Sequence, residues 1–257
     1  HLNHQAEHKI AWKISNTPSG LPSFSPFLCF DNLDFEQKVH SKSLGHSNRM
    51  FHGTWGYVHS LNQTLLNLVS PGDLTLESYK IAMSKISELC VVPKMFLPQP
   101  KDTLHWKLVL KSQIAQTLLE SIAQTSDSQI SIATTPPPID QISTKEPDIT
   151  MLKLMKASDN SAQGVGKVFE AIVNQSNITM TDFANCLQII DADLGLCTNI
   201  SSLHAQRVPS RHVEEGLQNT LTILGASHTL WNVSHAIYSK HYGESSDSRD
   251  SGAWRFL

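Results

Sequence analysis

Apolar and polar positions alternate most sharply over residues 26–59. Phe27-Leu28-Cys29-Phe30 is a short apolar run that stops at Asp31-Asn32, as a buried strand followed by a turn does. Residues 35–40 alternate in part, and residues 43–48 are turn material around Gly45. Residues 50–59 are rich in aromatic and β-branched side chains: Phe51, Thr54, Trp55, Tyr57 and Val58. This pattern predicts three strands in a meander, with Asp31 at the end of the first.

The periodicity elsewhere is helical, then mixed. Residues 1–25 read as an amphipathic helix over 3–15, marked by Ile10, Trp12 and Ile14, with a linker opened by Thr17-Pro18-Ser19-Gly20. Residues 26–124 hold the meander and a helical region. Its clearest helix covers 103–124, with a stripe of Trp106, Val109, Leu110, Ile114, Leu118 and Ile122 and Asp102 as its N-cap. A second helix is expected over 74–90. Residues 125–148 form a linker around Pro136-Pro137-Pro138, which favours extended backbone.

Residues 149–257 alternate strand and helix. Strands are expected at 149–155, 187–190 and 221–224, and helices at 162–174, 181–186, 212–218 and 229–240. A further helical turn is expected at 201–206. Such alternation is the signature of parallel pairing. A meander followed by αβ units on one sheet is how an RNase H-like fold is ordered. The expectation is therefore a mixed α/β protein, an RNase H-like sheet with an N-terminal three-strand meander and helical insertions.

Composition narrows the function classes. With 257 residues, 40% hydrophobic and 17% charged, the chain reads as globular. A formal charge of -3 gives no global pull towards nucleic acid, so a DNA surface would have to be local. No apolar run is long enough for a membrane span, and no secretory signal opens the sequence. The ends, His1 and Trp254-Arg255-Phe256-Leu257, read as cuts in a longer product. Cys29, Cys90, Cys186 and Cys197 show no C-x-x-C spacing and read as buried reduced thiols. No nucleophile elbow is present, so a Ser or Cys hydrolase has no motif behind it. Gly164-Val165-Gly166-Lys167 lacks the flanking residues of a phosphate loop and reads as small residues on a helix packed close to the sheet.

The sharpest chemistry lies in Asp31 and Asp193, each following a short apolar strand. Carboxylates at strand ends can converge on divalent metals that stabilise both oxygens of a phosphodiester transfer. Mg²⁺ or Mn²⁺ would suit an all-oxygen donor set. The alternative is that both acids merely close turns or cap, which Asp favours. Asp159, in Ser158-Asp159-Asn160, is an accessory partner or else an N-cap. No third acid declares itself, although Glu214, Glu215, Asp247 and Asp250 are available. The histidines at 40, 46, 52 and 59 have no recognised zinc spacing.

Five strings carry a family resemblance: FDNLDFEQKVHSKSLGHSNRMFHGTWGYVH, PDITMLKLMKASDNSAQGVGKVFEAIV, LQIIDADLGLC, GASHTLWNV and SDSRDSGAW. Together they resemble a fungal family known only as a domain of unknown function, whose proposed kinship is with RNase H-like transposases. The resemblance implies a transposon origin, DNA as partner and a nuclear, intracellular place. It sets Asp31 on the family's Asp-Asn motif and Asp193 on its Gly-Asp motif. Ala192 stands where Gly is usual, and Leu196 where Thr is common. His228 falls in the family's His-Thr-Leu-Trp segment, as an accessory residue beside the acids or as a packing residue. Two functions follow: metal-dependent DNA phosphodiester transfer with Asp31 and Asp193 as ligands, or a non-catalytic binding and assembly module of the same descent.

Overall fold

The computed structural model describes residues 26–70, 72–121, 132–139, 141, 143–244, 246–247, 249–250 and 252–253. The expected helix over 3–15 lies outside them. Two compact units are present: residues 1–83 with 147–257, and residues 84–146.

The larger unit is built on a mixed sheet of five strands in the order β3-β2-β1-β4-β5. The strands are β1 (Phe27–Gln37), β2 (Arg49–His59), β3 (Ile149–Met151), β4 (Gln188–Ala192) and β5 (Thr220–Leu224). β2 runs antiparallel to both β1 and β3, whereas β4 lies parallel to β1, and β5 parallel to β4. The helices are α1 (Gln63–Leu66), α2 (Leu76–Ser84), α3 (Pro100–Ser121), α4 (Ala162–Ser176), α5 (Met180–Ala184), α6 (Leu194–Gln206) and α7 (Ala226–His241). The protein is therefore mixed α/β, as its pattern predicts.

The expected meander over residues 26–59 takes a different form. A single strand, β1, occupies the place of the first two expected strands, and it forms a hairpin with β2. The third antiparallel strand is β3, which comes from far along the chain. Asp31 consequently sits inside β1, not at its end. The reason is that β1 has two lives. Up to Phe30 it alternates against a core, with Leu28 and Phe30 buried; from Asp31 on it pairs with β2 alone and is largely exposed. Phe35 stacking on Phe51 at 4.8 Å, and Asn48 donating to Glu36 at 2.7 Å, hold that outer ribbon. A propensity reading sees the loss of burial and infers the end of a strand.

One sheet face carries the core. Leu28, Phe30, Val58 and Ile190 meet Phe169 and Ile172 of α4 and Ile200 and Leu203 of α6. Phe169 stands edge-on to Phe30 at 6.0 Å and near Phe183 at 6.1 Å. Local chemistry fixes the helix ends. Ser161 caps α4 by accepting the Gly164 N–H, and Asn177 closes that helix in the left-handed region. Thr179 and Asp182 form a capping box on α5.

In the smaller unit, α3 starts three residues before its expected position. Asp102 is not its N-cap but lies in its first turn, reaching back to accept the Gln99 N–H at 2.8 Å. The expected apolar stripe on α3 is exposed at Trp106, Leu110, Ile114 and Leu118. Ile122, its last member, lies outside the described residues.

Candidate functional site

The parallel pairing of β1 with β4 sets the site. Cys29 lies opposite Asp191. Two residues further along each chain come Asp31 and Asp193. Because side chains alternate, Cys29 and Asp31 face away from the core that takes Leu28 and Phe30. The sheet thus brings both predicted acids to one edge, where β4 gives way to α6 and β1 leaves its parallel neighbour.

Asp31 is open to solvent. Its Oδ1 accepts the backbone N–H of Asn32 at 2.8 Å, and its Oδ2 lies 3.6 Å from His228 Nε2. His228 occupies the first turn of α7, which begins directly after β5. The Gly225 N–H bonds the Ala192 carbonyl at 2.8 Å, so the ends of β4 and β5 are tied where α7 starts. The packing role open to His228 is not the observed one, since α7 buries none of its side chains. Asp193 is the N-cap of α6, its Oδ1 accepting the Leu196 N–H at 2.6 Å. The capping alternative therefore describes one of its oxygens.

Asp159 is the feature that sequence reasoning read least well. Three cap-type residues run together at Asp159-Asn160-Ser161, and the helix takes Ser161. Asp159 is instead buried, at 4% exposure, and its Oδ1 has no hydrogen-bond partner. Burial pushes its carboxyl up to about 6; a backbone hydrogen bond within Asp159 offsets part of this, and the negative charges of Asp31, Asp193 and Asp34 add to the rise. The loop that carries it is fastened from four elements. Thr54 of β2 donates to the Ala157 carbonyl at 2.7 Å, and Asn199 of α6 donates to the Asp159 carbonyl at 2.8 Å. Asn32 of β1 reaches Asn160 at 3.4 Å. Gly164 of α4 lies so close to the Ser158 carbonyl that a Cβ there would collide with it. The glycines of the Gly-Val-Gly-Lys segment pack closely, but against this loop and Arg207 and not against the sheet as expected.

Asp191, just past the strand expected at 187–190, belongs to β4 and faces the same side as Cys29. A Cβ at Gly225 would come within 2.6 Å of its Oδ1. The two nearby thiols are poor nucleophiles. Burial pushes Cys29 up, a hydrogen bond with Tyr57 offsets part of this, and the charges of Asp191 and Asp31 add to the rise. The same hydrogen bond takes Tyr57 up to about 12. Cys197 is likewise raised, chiefly by burial.

The remaining candidates lie apart from one another. Glu214 and Glu215 line a cleft of about 730 Å³ with Arg207, Arg211 and His212. Asp247 and Asp250 accept local backbone N–H groups near the end of the chain. His52 pairs with Asp34 at 3.0 Å, and His59 stacks on Phe27. Among the described residues, no group of three or more His, Cys, Asp or Glu side chains is placed so that it could hold a metal ion. No helix among them is long and apolar enough to cross a membrane.

A family model described as a family of unknown function, DUF6589, matches residues 88–257. The chain belongs to this family. The DUF6589 match takes in Asp159, Asp191, Asp193 and His228, while Asp31 and the β1–β2 hairpin precede it. No curated protein and no solved structure matches the chain.

Proposed function

We propose that this DUF6589 chain is a transposase-derived, metal-dependent domain for DNA phosphodiester transfer on an RNase H-like sheet, with Asp31 and Asp193 as metal ligands. The register that carries Asp31 and Asp193 to one edge of adjacent parallel strands is the observation that carries this reading. The layout supports it, because a three-strand antiparallel half followed by two parallel αβ units orders the sheet as that fold requires.

The donor set suits Mg²⁺ or Mn²⁺, since both side chains offer carboxylate oxygens and no soft ligand. A divalent cation held there would supply charge stabilisation to the oxygens of a phosphodiester. The protein's own groups do the rest. Asp31 is exposed on the outer face, where a ligand can reach it. His228, within 3.6 Å of it, can hold the Asp31 carboxylate in place when protonated or pass a proton at Nε2.

The second reading, a non-catalytic binding and assembly module, draws on Asp193. One of its oxygens is already used by the α6 cap, and Ala192 departs from the family's Gly. Incubation with single- and double-stranded DNA in Mn²⁺ separates the two. Cleavage by the native chain that is lost in Asp31→Asn supports transfer chemistry. Equal behaviour of the two proteins leaves the module.

A further inference from the structure

The β1–β2 ribbon outruns the rest of the sheet. β4 pairs with β1 at Leu28 and Cys29, and a bridge between Thr54 and Met155 lies furthest out on β2. From Leu33 and Gly53 to Gln37 and Arg49, the two strands pair with each other and, among the described residues, with no third strand. The loop that closes them is fastened. Ser43 and His46 exchange two backbone hydrogen bonds, at 3.0 and 2.9 Å, around Gly45 in the left-handed region. Asn48 Oδ1 accepts the Val39 N–H at 3.2 Å, and Asn48 Nδ2 donates to Glu36 at 2.7 Å. The charge of this tip has one sign. Between Glu36 and Asp73 the sequence carries no acid, although the whole chain has a formal charge of -3. Lys38, Lys42 and Arg49 lie here exposed, with His40 and His46 between them. The acids lower on the ribbon are engaged, Glu36 by Asn48 and Asp34 by His52 at 3.0 Å. Among the described residues, no carboxylate pairs with the three cations. Surface charge that serves solubility is interspersed in sign; here one sign is gathered at the end of an arm.

We propose that this tip holds the phosphate backbone of duplex DNA, with Lys38, Lys42 and Arg49 as ionic contacts and the His40 and His46 rings as further donors. The choice of DNA rests on the phosphodiester-transfer reading of the Asp31 edge. At about 3.3 Å per residue, Lys38 stands roughly 20 Å along β1 from Asp31, so one duplex laid along the ribbon reaches both. Neutralising phosphates releases counterions, so such contacts give affinity without sequence preference and weaken steeply with salt. A local surface of this kind reconciles a DNA substrate with a chain that is negative overall.

The test is fluorescence anisotropy of a labelled DNA duplex with the full chain in EDTA, where no metal-dependent step runs. Replacing Lys38, Lys42 and Arg49 together by Gln is expected to weaken binding at least tenfold. The slope of log K against log salt should become shallower by about 2–3, and by about 1 for each single replacement. A control takes the same number of exposed lysines from α3, Lys101, Lys107 and Lys111, again to Gln, and should bind as the native chain does. Equal losses in the two triple variants overturn the proposal, since they mark net charge and not the tip. A native chain that binds no duplex overturns it too, as does one that prefers double-stranded RNA of the same sequence. Asp31→Asn should keep native affinity in EDTA. If Mn²⁺-dependent cleavage needs Asp31 while the tip variant binds DNA like the native chain, the tip assignment falls and the transfer reading stands. If the tip variant loses binding and even the native chain never cleaves, the transfer reading falls and the DNA surface stands.

Discussion

His228 Nε2 stands 3.6 Å from Asp31 Oδ2, joining the first turn of α7 to the point where β1 parts from β4. Both side chains are about half exposed, so solvent screens the pair. His228→Ala is therefore expected to change folding stability by less than about 1 kcal/mol in urea denaturation. If His228 serves the acid edge, the same variant should nonetheless slow Mn²⁺-dependent cleavage at least tenfold. A large stability loss with unchanged cleavage would assign His228 to structure.

The buried Asp159 carboxyl gives stability a defined pH dependence. Its native value of about 6 lies above the ordinary 3.8, so the native state holds more protons than the unfolded chain between those values. Its contribution is fully present below the ordinary value and is lost as pH rises through about 6. Urea midpoints for the native chain and Asp159→Asn, compared in EDTA from pH 4 to pH 7.5, should diverge as pH rises, to the disadvantage of the native chain. Parallel profiles would mean that the carboxyl does not become charged in its buried place.

Phe169 bridges Phe30 on the sheet and Phe183 on α5, and all three rings are fully buried. Phe169→Ala should cost about 3–5 kcal/mol, because the ring leaves a cavity that α4 cannot close. Equilibrium unfolding measures this directly, and a loss below about 1 kcal/mol would show that the core is not packed as described.

Gly164 reverses a familiar rule. Replacing an exposed helical Gly by Ala normally stabilises by about 1 kcal/mol. Here the added Cβ would meet the Ser158 backbone carbonyl, which cannot swing aside as a side chain would. Gly164→Ala is expected to destabilise by about 1–3 kcal/mol, as overpacking does. Gly225→Ala should be milder, since its added Cβ meets the Asp191 carboxylate, an end that can turn. Equal effects in thermal unfolding would argue against this distinction.

The αβ half was legible because its signals are local. The buried run of β4, the apolar residues of β5 and the strong apolar face of α4 can each be seen within a few residues. α6 was foreseen only at its C-terminal end, because Thr198, Ser201 and Ser202 weaken the helical pattern; in the fold their hydroxyls bond back to carbonyls four residues earlier. Asp31 and Asp193 could be singled out from the apolar runs before them, but their shared edge depends on β1–β4 register, which no single stretch encodes. Asp159 was misread because a capping residue and an orphaned acid look alike in sequence. Only the choice of Ser161 as cap, made by the geometry of the α4 entry, tells them apart.

His59 pairs with Ile149 across β2 and β3. The chain leaves the sheet at His59 and re-enters it directly alongside, with Ser60 N–H bonding the Asp148 carbonyl at 3.3 Å. Residues 60–148 therefore form, for the sheet, one closed circuit between adjacent positions. The entropy of closing such a circuit rises only with the logarithm of its length, about 0.6 kcal/mol for each doubling. A lineage can accordingly lengthen, shorten or exchange this excursion while β2 and β3 keep their register.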